Sequence, residues 1–158
     1  MAGAGLPWNG GAQVMTRGVA FFIDYGFGQR EYYHPDRREG TLMCHYRHRA
    51  HGDPFWLPGL QDITSHVDFS AIARVAEASG LSLAGFATQA QFLINCGITG
   101  LLSQVSAHDT VRYAPLAAAA QKLLSPAEMG ELFKVIALGK GIDTPLLGFT
   151  RGDKSHTL

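Results

Sequence analysis

An apolar, β-prone run at residues 19–23 most limits what this chain can fold into. The run does not alternate between apolar and polar residues, which is typical of a strand covered on both faces in an α/β sheet. It ends at Asp24, which is followed by Tyr25 and Gly26. Because ligands bind at the carboxyl ends of strands in open α/β sheets, Asp24 is predicted to lie at a functional site.

The composition indicates one globular domain and argues against two classes of partner. A chain of 158 residues can bury a real core, and its hydrophobic content of 46% is too high for a disordered protein. The 13 basic and 13 acidic residues give a formal net charge of zero. Since no overall field draws the chain to phosphates, we expect neither nucleic acid nor a membrane as a partner.

The cysteines and the amino terminus favour a cytoplasmic protein. Cys44 and Cys96 are too few for the disulfide framework of a small secreted domain. Residues 1–8 lack the basic start and apolar core of a signal peptide. Every apolar run is shorter than the ~20 residues that span a bilayer. We therefore expect a soluble, cytoplasmic chain.

Helix signals follow the first strand. Asp68 is predicted to cap a helix that stops at Gly80, because its apolar residues recur at helical spacing. Thr88 and Gln91 match a capping box, which predicts a second helix. A third helical stretch contains Pro115, which is expected to kink or divide it.

The remaining elements complete an α/β order. Strands are predicted at residues 81–86 and 133–138, and a short helix is predicted after Ser125, where Pro126 and Glu128 fit a capped start. The glycine-rich residues 1–17 are predicted to form a flexible arm, and the polar residues 151–158 a frayed tail. Strands alternating with helices predict an α/β fold.

Residues 29–66 are predicted to form a long loop insertion with one short strand near residues 41–45. Thiolate and imidazole groups are the usual zinc ligands, and the insertion contains such groups. Their spacing matches no standard zinc motif, so we predict no metal site. The alternatives are a partly basic loop that meets an anionic substrate or another part of the protein, and plain solvated surface. The residues concerned are Cys44, His45, His48 and His51.

Two further features admit both a functional and a structural interpretation. Gly26 and Gly28 after a strand suggest a nucleotide-binding loop, but Glu31 occupies the position of the third glycine, so a tight turn is favoured. His66 lies between two carboxylates, Asp62 and Asp68, as a general base does, or it serves only the local structure.

Five groups of short motifs follow one another in a specific order along residues 18–150. In this order they resemble the MidA-like family of class I S-adenosylmethionine-dependent methyltransferases. A mitochondrial member of that family assists the assembly of respiratory complex I by methylating an arginine. The motifs are Phe22-Ile23-Asp24-Tyr25-Gly26; Gly40-Thr41-Leu42; Pro58-Gly59 with Asp62-Ile63-Thr64 and His66-Val67-Asp68-Phe69; Thr88-Gln89 with Phe92-Leu93; and Met129-Gly130-Glu131 with Phe133-Lys134-Val135.

The resemblance implies the carboxy-terminal part of a class I, Rossmann-like methyltransferase fold with a long loop insertion. This part holds the last three strands of a seven-stranded sheet, the final one antiparallel. The implied cofactor is S-adenosylmethionine, and the implied partner is a protein substrate, such as a respiratory complex I subunit, methylated on a side chain such as arginine. Asp24 and Tyr25 would lie near the crevice, and Asp24 and His66 would orient or deprotonate the acceptor. Residues 30–35 and 43–48 further resemble bacterial members.

In such enzymes the glycine-rich loop and the acidic residue that hold the methyl donor precede the strand at residues 19–23. Only 17 residues precede Gly18 here, so we expect a fragment without the usual donor-binding loop. The alternative is a non-catalytic interaction or assembly module with an exposed sheet edge, which recruits partner strands. Whether the chain forms a homo-oligomer is left open.

Overall fold

The computed structural model of the protein describes residues 14–158. Most of the expected glycine-rich arm, residues 1–13, lies outside the described residues. The strands are β1 (Gly18–Phe27), β2 (Met43–Tyr46), β3 (Arg49–His51), β4 (Asp62–Thr64), β5 (Val67–Asp68), β6 (Ser82–Thr88) and β7 (Phe133–Lys140). The α-helices are α1 (Gln29–Tyr32), α2 (Phe69–Ala78), α3 (Gln89–Asn95), α4 (Ile98–Leu102) and α5 (Thr110–Leu124).

The main sheet has the strand order β5–β1–β7–β6. β7 runs antiparallel to both β1 and β6, whereas β1 and β5 are parallel. The β1–β7 ladder extends from Gly18 paired with Lys140 to Tyr25 paired with Phe133. The mixed α/β fold and the antiparallel final strand are therefore confirmed.

Side-chain caps begin three of the helices. The Ala71 amide donates to the Asp68 carboxylate at 3.0 Å, and the Gln91 amide donates to the Thr88 hydroxyl at 3.3 Å. Both predicted caps are confirmed. Of the Thr88 capping box the described residues show only this half, and the Gln91 side-chain NH2 group donates to Asn95. Asp109 caps α5 in the same way as Asp68 caps α2.

The proline in α5 does not divide the helix, which runs unbroken from Thr110 to Leu124. Pro115 removes one backbone donor. Its intrahelical acceptor would be the carbonyl of Val111, a residue that is 84% exposed, so water can replace the lost hydrogen bond.

The prediction of a short helix after Ser125 is wrong, because the chain forms consecutive turns there. The Gly130 amide donates back to the Ser125 carbonyl at 2.9 Å. A Cβ atom on Gly130 would lie 2.2 Å from the Leu124 carbonyl oxygen, so the glycine lets the chain double back on α5. The capping signal is real, but the segment reverses before a helix can extend.

Two apolar clusters cover the main sheet, one on each face. Phe69, Ala73 and Ala76 of α2 pack against Phe86, Ile136 and Leu138 on one side. On the other side the cluster consists of Ala87, Val135, Ala137 and Phe149, with Phe92 of α3 packed against it. β7 is thus covered on both faces.

β1 is less covered than its apolar sequence predicts. Phe21 is 47% exposed and Ile23 is 52% exposed. The reason is topological, since within residues 14–158 β5 pairs with β1 only at Gly26 and Phe27. β1 is therefore incompletely covered in the described part of the chain.

The insertion contains a second, antiparallel sheet in the order β3–β2–β4, where one strand was predicted. Arg47 and His48 connect β2 to β3 with φ angles of 47° and 64°. A two-residue hairpin turn with positive φ normally carries Asn-Gly or Asp-Gly. The sequence lacks that signal, which explains why the hairpin was missed.

The tail is not frayed, contrary to the prediction for residues 151–158. The Lys154 amide donates to the Phe86 carbonyl at 2.6 Å, and the Phe86 amide donates to the Asp153 carboxylate at 3.2 Å. Leu158 packs against the α2-side cluster. The tail is ordered because it satisfies backbone groups of β6 and buries an apolar side chain.

None of the helices in residues 14–158 combines the length and apolarity needed to cross a membrane.

Candidate active site

A cavity of about 380 Å³ opens between the carboxyl end of β1 and the small sheet. It brings together two of the three predicted site residues, Tyr25 and His66. The cavity is lined by Tyr25, Thr41, Met43, His45, Thr64, His66, Leu132 and Phe133. No carboxylate is among these residues.

Strand pairing holds Tyr25 and His66 next to each other. Val67 and Asp68 of β5 pair with Gly26 and Phe27 of β1, which places His66 beside the end of β1. The His66 amide also donates to the Thr41 hydroxyl at 3.2 Å, which ties it to the insertion. The site is therefore fixed by backbone contacts on both sides.

The rings at this site form an aromatic cluster. Tyr25 lies edge-on to His66, with 5.4 Å between centroids, and edge-on to Phe133, with 5.6 Å. Phe27 lies 5.0 Å from His66, and the Arg37 guanidinium lies 3.9 Å from the centroid of the Phe27 ring. Such contacts restrict ring motion and orient the negative ring faces.

Burial favours the neutral form of the His66 imidazole. Burial, which removes water from the charged form, lowers its pKa below the usual 6.5; an interaction with the Thr41 backbone partly opposes this, and the Arg37 guanidinium lowers the pKa further. The Nδ1 atom is buried and has no hydrogen-bond partner among the described residues. A neutral imidazole can accept a proton.

Asp24 is placed differently from the other two predicted residues. It is exposed, it does not line the cavity, and its carboxylate accepts a hydrogen bond from the Tyr25 amide at 2.8 Å. Across the ladder Asp24 pairs with Lys134 of β7. The structure thus connects Asp24 to the site through the backbone of Tyr25.

Gly26 in β1 and Gly28 just after it serve packing rather than ligand binding. A Cβ atom on Gly26 would lie 2.2 Å from the Val67 carbonyl oxygen, and one on Gly28 would lie 3.3 Å from that of Thr157. The chain's own backbone fills the space that a nucleotide would need. The predicted tight turn is wrong as well, because Gly26 lies within β1 and Gly28 is an extended residue that leads directly into α1.

A methyl donor of the S-adenosylmethionine type does not fit these residues as a complete site. Nucleotide-type ligands of doubly wound α/β folds bind a glycine-rich turn and a carboxylate that accepts from the ribose. The cavity at Tyr25 and His66 has no carboxylate in its lining, and backbone atoms of this chain occupy the space beside Gly26 and Gly28.

The family model described as "Putative S-adenosyl-L-methionine-dependent methyltransferase" matches residues 9–87. This is half of the chain. The chain belongs to the MidA-like family of class I methyltransferases. The family is S-adenosylmethionine-dependent, which confirms the expected cofactor class.

Two solved structures from Burkholderia thailandensis share the fold of this MidA-like chain. One is an uncharacterized protein that is 58% identical, with a TM-score of 0.92, over 95% of this chain and 40% of its own. The other is a superfamily member bound to S-adenosyl-homocysteine, also 58% identical with a TM-score of 0.92, over 95% of this chain and 39% of its own.

Curated relatives include protein arginine methyltransferases. The mitochondrial protein arginine methyltransferase NDUFAF7 of Rattus norvegicus is 35% identical over 125 residues, which cover 78% of this chain and 27% of the relative. The homolog of Drosophila melanogaster is 29% identical over 141 residues, which cover 84% of this chain and 30% of the relative. The MidA-like chain thus spans less than a third of the length of these relatives.

Sequence reasoning missed most of the cavity lining in the MidA-like chain. Thr41 and Thr64 lie inside quoted family motifs, so their position in those motifs was an available signal. Phe133 also lies inside a quoted motif, whereas Leu132 does not, and both residues reach the site because β7 pairs with β1.

The cysteine and histidines of the insertion take different positions. Cys44 is fully buried, His45 lines the cavity, and His51 packs edge-on against Trp56 at 4.8 Å between centroids. Within residues 14–158 no three such side chains cluster as metal ligands would. The insertion therefore serves as one wall of the candidate site.

Proposed function

We propose that this chain forms the acceptor-binding side of an S-adenosylmethionine-dependent methyltransferase that modifies a protein side chain, such as arginine. The observation that carries the proposal is the pairing of Tyr25 with a neutral His66 in one cavity at the carboxyl end of β1. Membership of the methyltransferase family supports it.

The lining of the cavity suits a guanidinium group. The rings of Tyr25 and Phe133 offer electron-rich faces, which attract a cation when water is excluded. Met43 and Leu132 supply apolar contact for the methylene part of the side chain. The curated relatives named as protein arginine methyltransferases support this choice of acceptor.

His66 supplies the base in this proposal. The donor, when bound, provides an electrophilic methyl group. An arginine nitrogen that takes a methyl group must lose a proton, and a neutral imidazole within the cavity can accept it. Tyr25 holds the acceptor plane by ring contact, and Asp24 orients Tyr25 through its amide. The sequence predicts that Asp24 and His66 orient or deprotonate the acceptor; in our proposal His66 is the base and Asp24 acts through Tyr25.

The donor itself is held, in our proposal, by a segment corresponding to the part of the longer relatives that this chain does not match. A respiratory complex I subunit stays the predicted substrate on family resemblance alone.

One observation favours a second candidate, a non-catalytic interaction or assembly module. The apolar side chains of Phe21 and Ile23 on β1 are about half exposed, as on a surface that another protein covers. Such a module would use the fold without binding a donor.

Calorimetric titration of the chain with S-adenosylmethionine separates the candidates. The chain is titrated alone and mixed with the unmatched part of the B. thailandensis relative, and methyl transfer to an arginine peptide is followed with labelled donor. We expect donor binding and transfer only in the mixture, with transfer lowered by His66→Gln and kept by His108→Gln, an exposed control.

Micromolar donor binding by the chain alone would contradict the non-catalytic module. It would also contradict the proposal that a segment outside this chain holds the donor. A correctly folded mixture that binds donor without transferring methyl, with unchanged behaviour in His66→Gln, would contradict the proposed acceptor site.

A further inference from the structure

A second cavity, of about 500 Å³, lies at the same end of the main sheet and is strongly cationic. Its lining includes Arg30, Lys134, Lys154 and His156, which we call the basic groove, and one carboxylate, Glu31. An adjoining cavity of about 710 Å³ shares Arg30 and His156. The basic groove thus has more positive than negative groups and continues along the surface.

Lys134 is a half-buried cation of the basic groove. Burial lowers the pKa of its ammonium group, and the neighbouring Lys154 lowers it too, while Glu131 and Glu31 oppose this from a distance. No carboxylate of the described residues lies within ion-pairing distance of Lys134, whose ammonium donates to the Glu131 carbonyl. A half-buried cation without an ion pair costs stability.

The basic groove is built on fixed parts of the fold. Lys134 belongs to β7, and Lys154 is anchored because its amide donates to the Phe86 carbonyl of β6 at 2.6 Å. Arg30 lies in α1, directly after β1. The cations therefore face a common space without depending on flexible loops, and an anion bound there would neutralise them.

The basic groove lies close to the candidate acceptor site. The Phe27 ring is 5.0 Å from the His66 ring and 6.0 Å from the Lys134 ammonium. His66 and the Lys134 ammonium are therefore at most about 11 Å apart, which roughly three residues of extended chain can span.

We propose that the basic groove binds an acidic side chain of the protein substrate, within about three residues of the residue that is methylated. The ligand chemistry is a carboxylate of aspartate or glutamate. This inference rests on the proposed function for the identity of the substrate, whereas the preference for an anion rests on the charges of the basic groove alone.

The test uses two nine-residue peptides that contain one arginine and, three positions away, either glutamate or glutamine. Their affinities for the chain are measured by fluorescence anisotropy, and their location by amide chemical shifts in NMR spectra. We expect the glutamate peptide to bind about tenfold more tightly at low salt, as one charge-assisted contact implies. The shifts should centre on Gly28, Lys154 and Thr157, which line the basic groove.

Variants of the basic groove make the test specific. Lys134→Gln and Lys154→Gln should each reduce the preference for glutamate, and the exposed Lys122→Gln on α5 should keep it. If Lys134→Gln fails to fold, Lys154→Gln alone tests whether the basic groove causes the preference for glutamate. Equal affinity for both peptides, or shifts away from the basic groove, would overturn the proposal.

Two further arms separate other outcomes. Inorganic phosphate that binds the same amides as tightly as the glutamate peptide would overturn the assignment to a protein side chain. Replacing the arginine by glutamine in both peptides measures how much the arginine adds to the affinity, and so tests the acceptor cavity by itself. If the preference for glutamate persists while the arginine adds nothing, the basic groove is upheld and the proposed function is contradicted.

Discussion

The ring of Tyr25 meets the His66 imidazole edge-on, with 5.4 Å between centroids and 87° between planes. The pair forms because Val67 and Asp68 join β1 in parallel just after His66. Substitutions that displace β5 should therefore move both Tyr25 and His66. Substitutions of His66 itself should change how stability depends on pH.

Stability should depend on the protonation of His66. Its pKa in the folded chain is below the usual 6.5, so as pH falls the unfolded chain takes up the proton first. Above pH 6.5 the ionisation of His66 does not reduce the free energy of unfolding. That free energy decreases as pH falls from 6.5 toward the lowered pKa of the folded state. Urea unfolding between about pH 5 and pH 8 should show this slope, and His66→Gln should reduce it.

An exposed histidine provides the control for this experiment. His108→Gln should leave the slope as it is in the unaltered chain. A slope that is the same in His66→Gln would mean that other groups account for the acid sensitivity.

Gly26→Ala should destabilise the fold and loosen the site. The added Cβ would lie 2.2 Å from the Val67 carbonyl oxygen, so β5 must move away. Overpacking of this kind costs about 1–3 kcal/mol. Urea denaturation should record the loss, and the NMR ring-current shifts of Tyr25 and His66 should change with it.

Gly100→Ala is the matched control. Gly100 lies within α4 and a Cβ there would meet nothing within 4 Å. Alanine in a helix interior is favoured over glycine by about 0.5–1 kcal/mol, so this variant should be slightly more stable. Equal losses in both variants would show that the Val67 contact is not the cause.

Replacing the residue that corresponds to Asp24 by asparagine in the longer B. thailandensis relative should lower methyl transfer about tenfold, as expected when a charge-assisted hydrogen bond becomes a neutral one. An asparagine can still accept the Tyr25 amide, so a loss would point to the charge. Transfer rates with labelled donor provide the measurement, and an unchanged rate would remove Asp24 from the site.

Lys134→Gln should not destabilise the fold. Burial removes solvation from the charged Lys134 ammonium, and this cost lowers its pKa from the usual 10.5. That cost declines only as pH rises through the lowered pKa. After allowance for solvent screening we expect a gain on the order of 0.5 kcal/mol in urea unfolding at neutral pH. Lys122→Gln should have no effect, and a clear loss in Lys134→Gln would make the ammonium a structural contributor.

Local signals predicted a good part of the fold. The caps at Asp68 and Thr88, together with the apolar runs of β1, β6 and β7, each depend on a few neighbouring residues, and the structure confirms them. The same signals failed where distant contacts intervened. Residues after Ser125 double back on α5, and the tail pairs with Phe86.

The candidate site shows the same division. The sequence by itself placed Asp24 and Tyr25 near the carboxyl end of a strand, although β1 runs on to Phe27, and it marked His66 as a titratable residue. These properties belong to short segments. Only the tertiary structure decided that Tyr25 meets His66 while Asp24 stays outside the cavity, and that Phe133 closes it. The register of β5 and β7 on β1 sets these contacts, and it depends on packing between residues far apart in the chain.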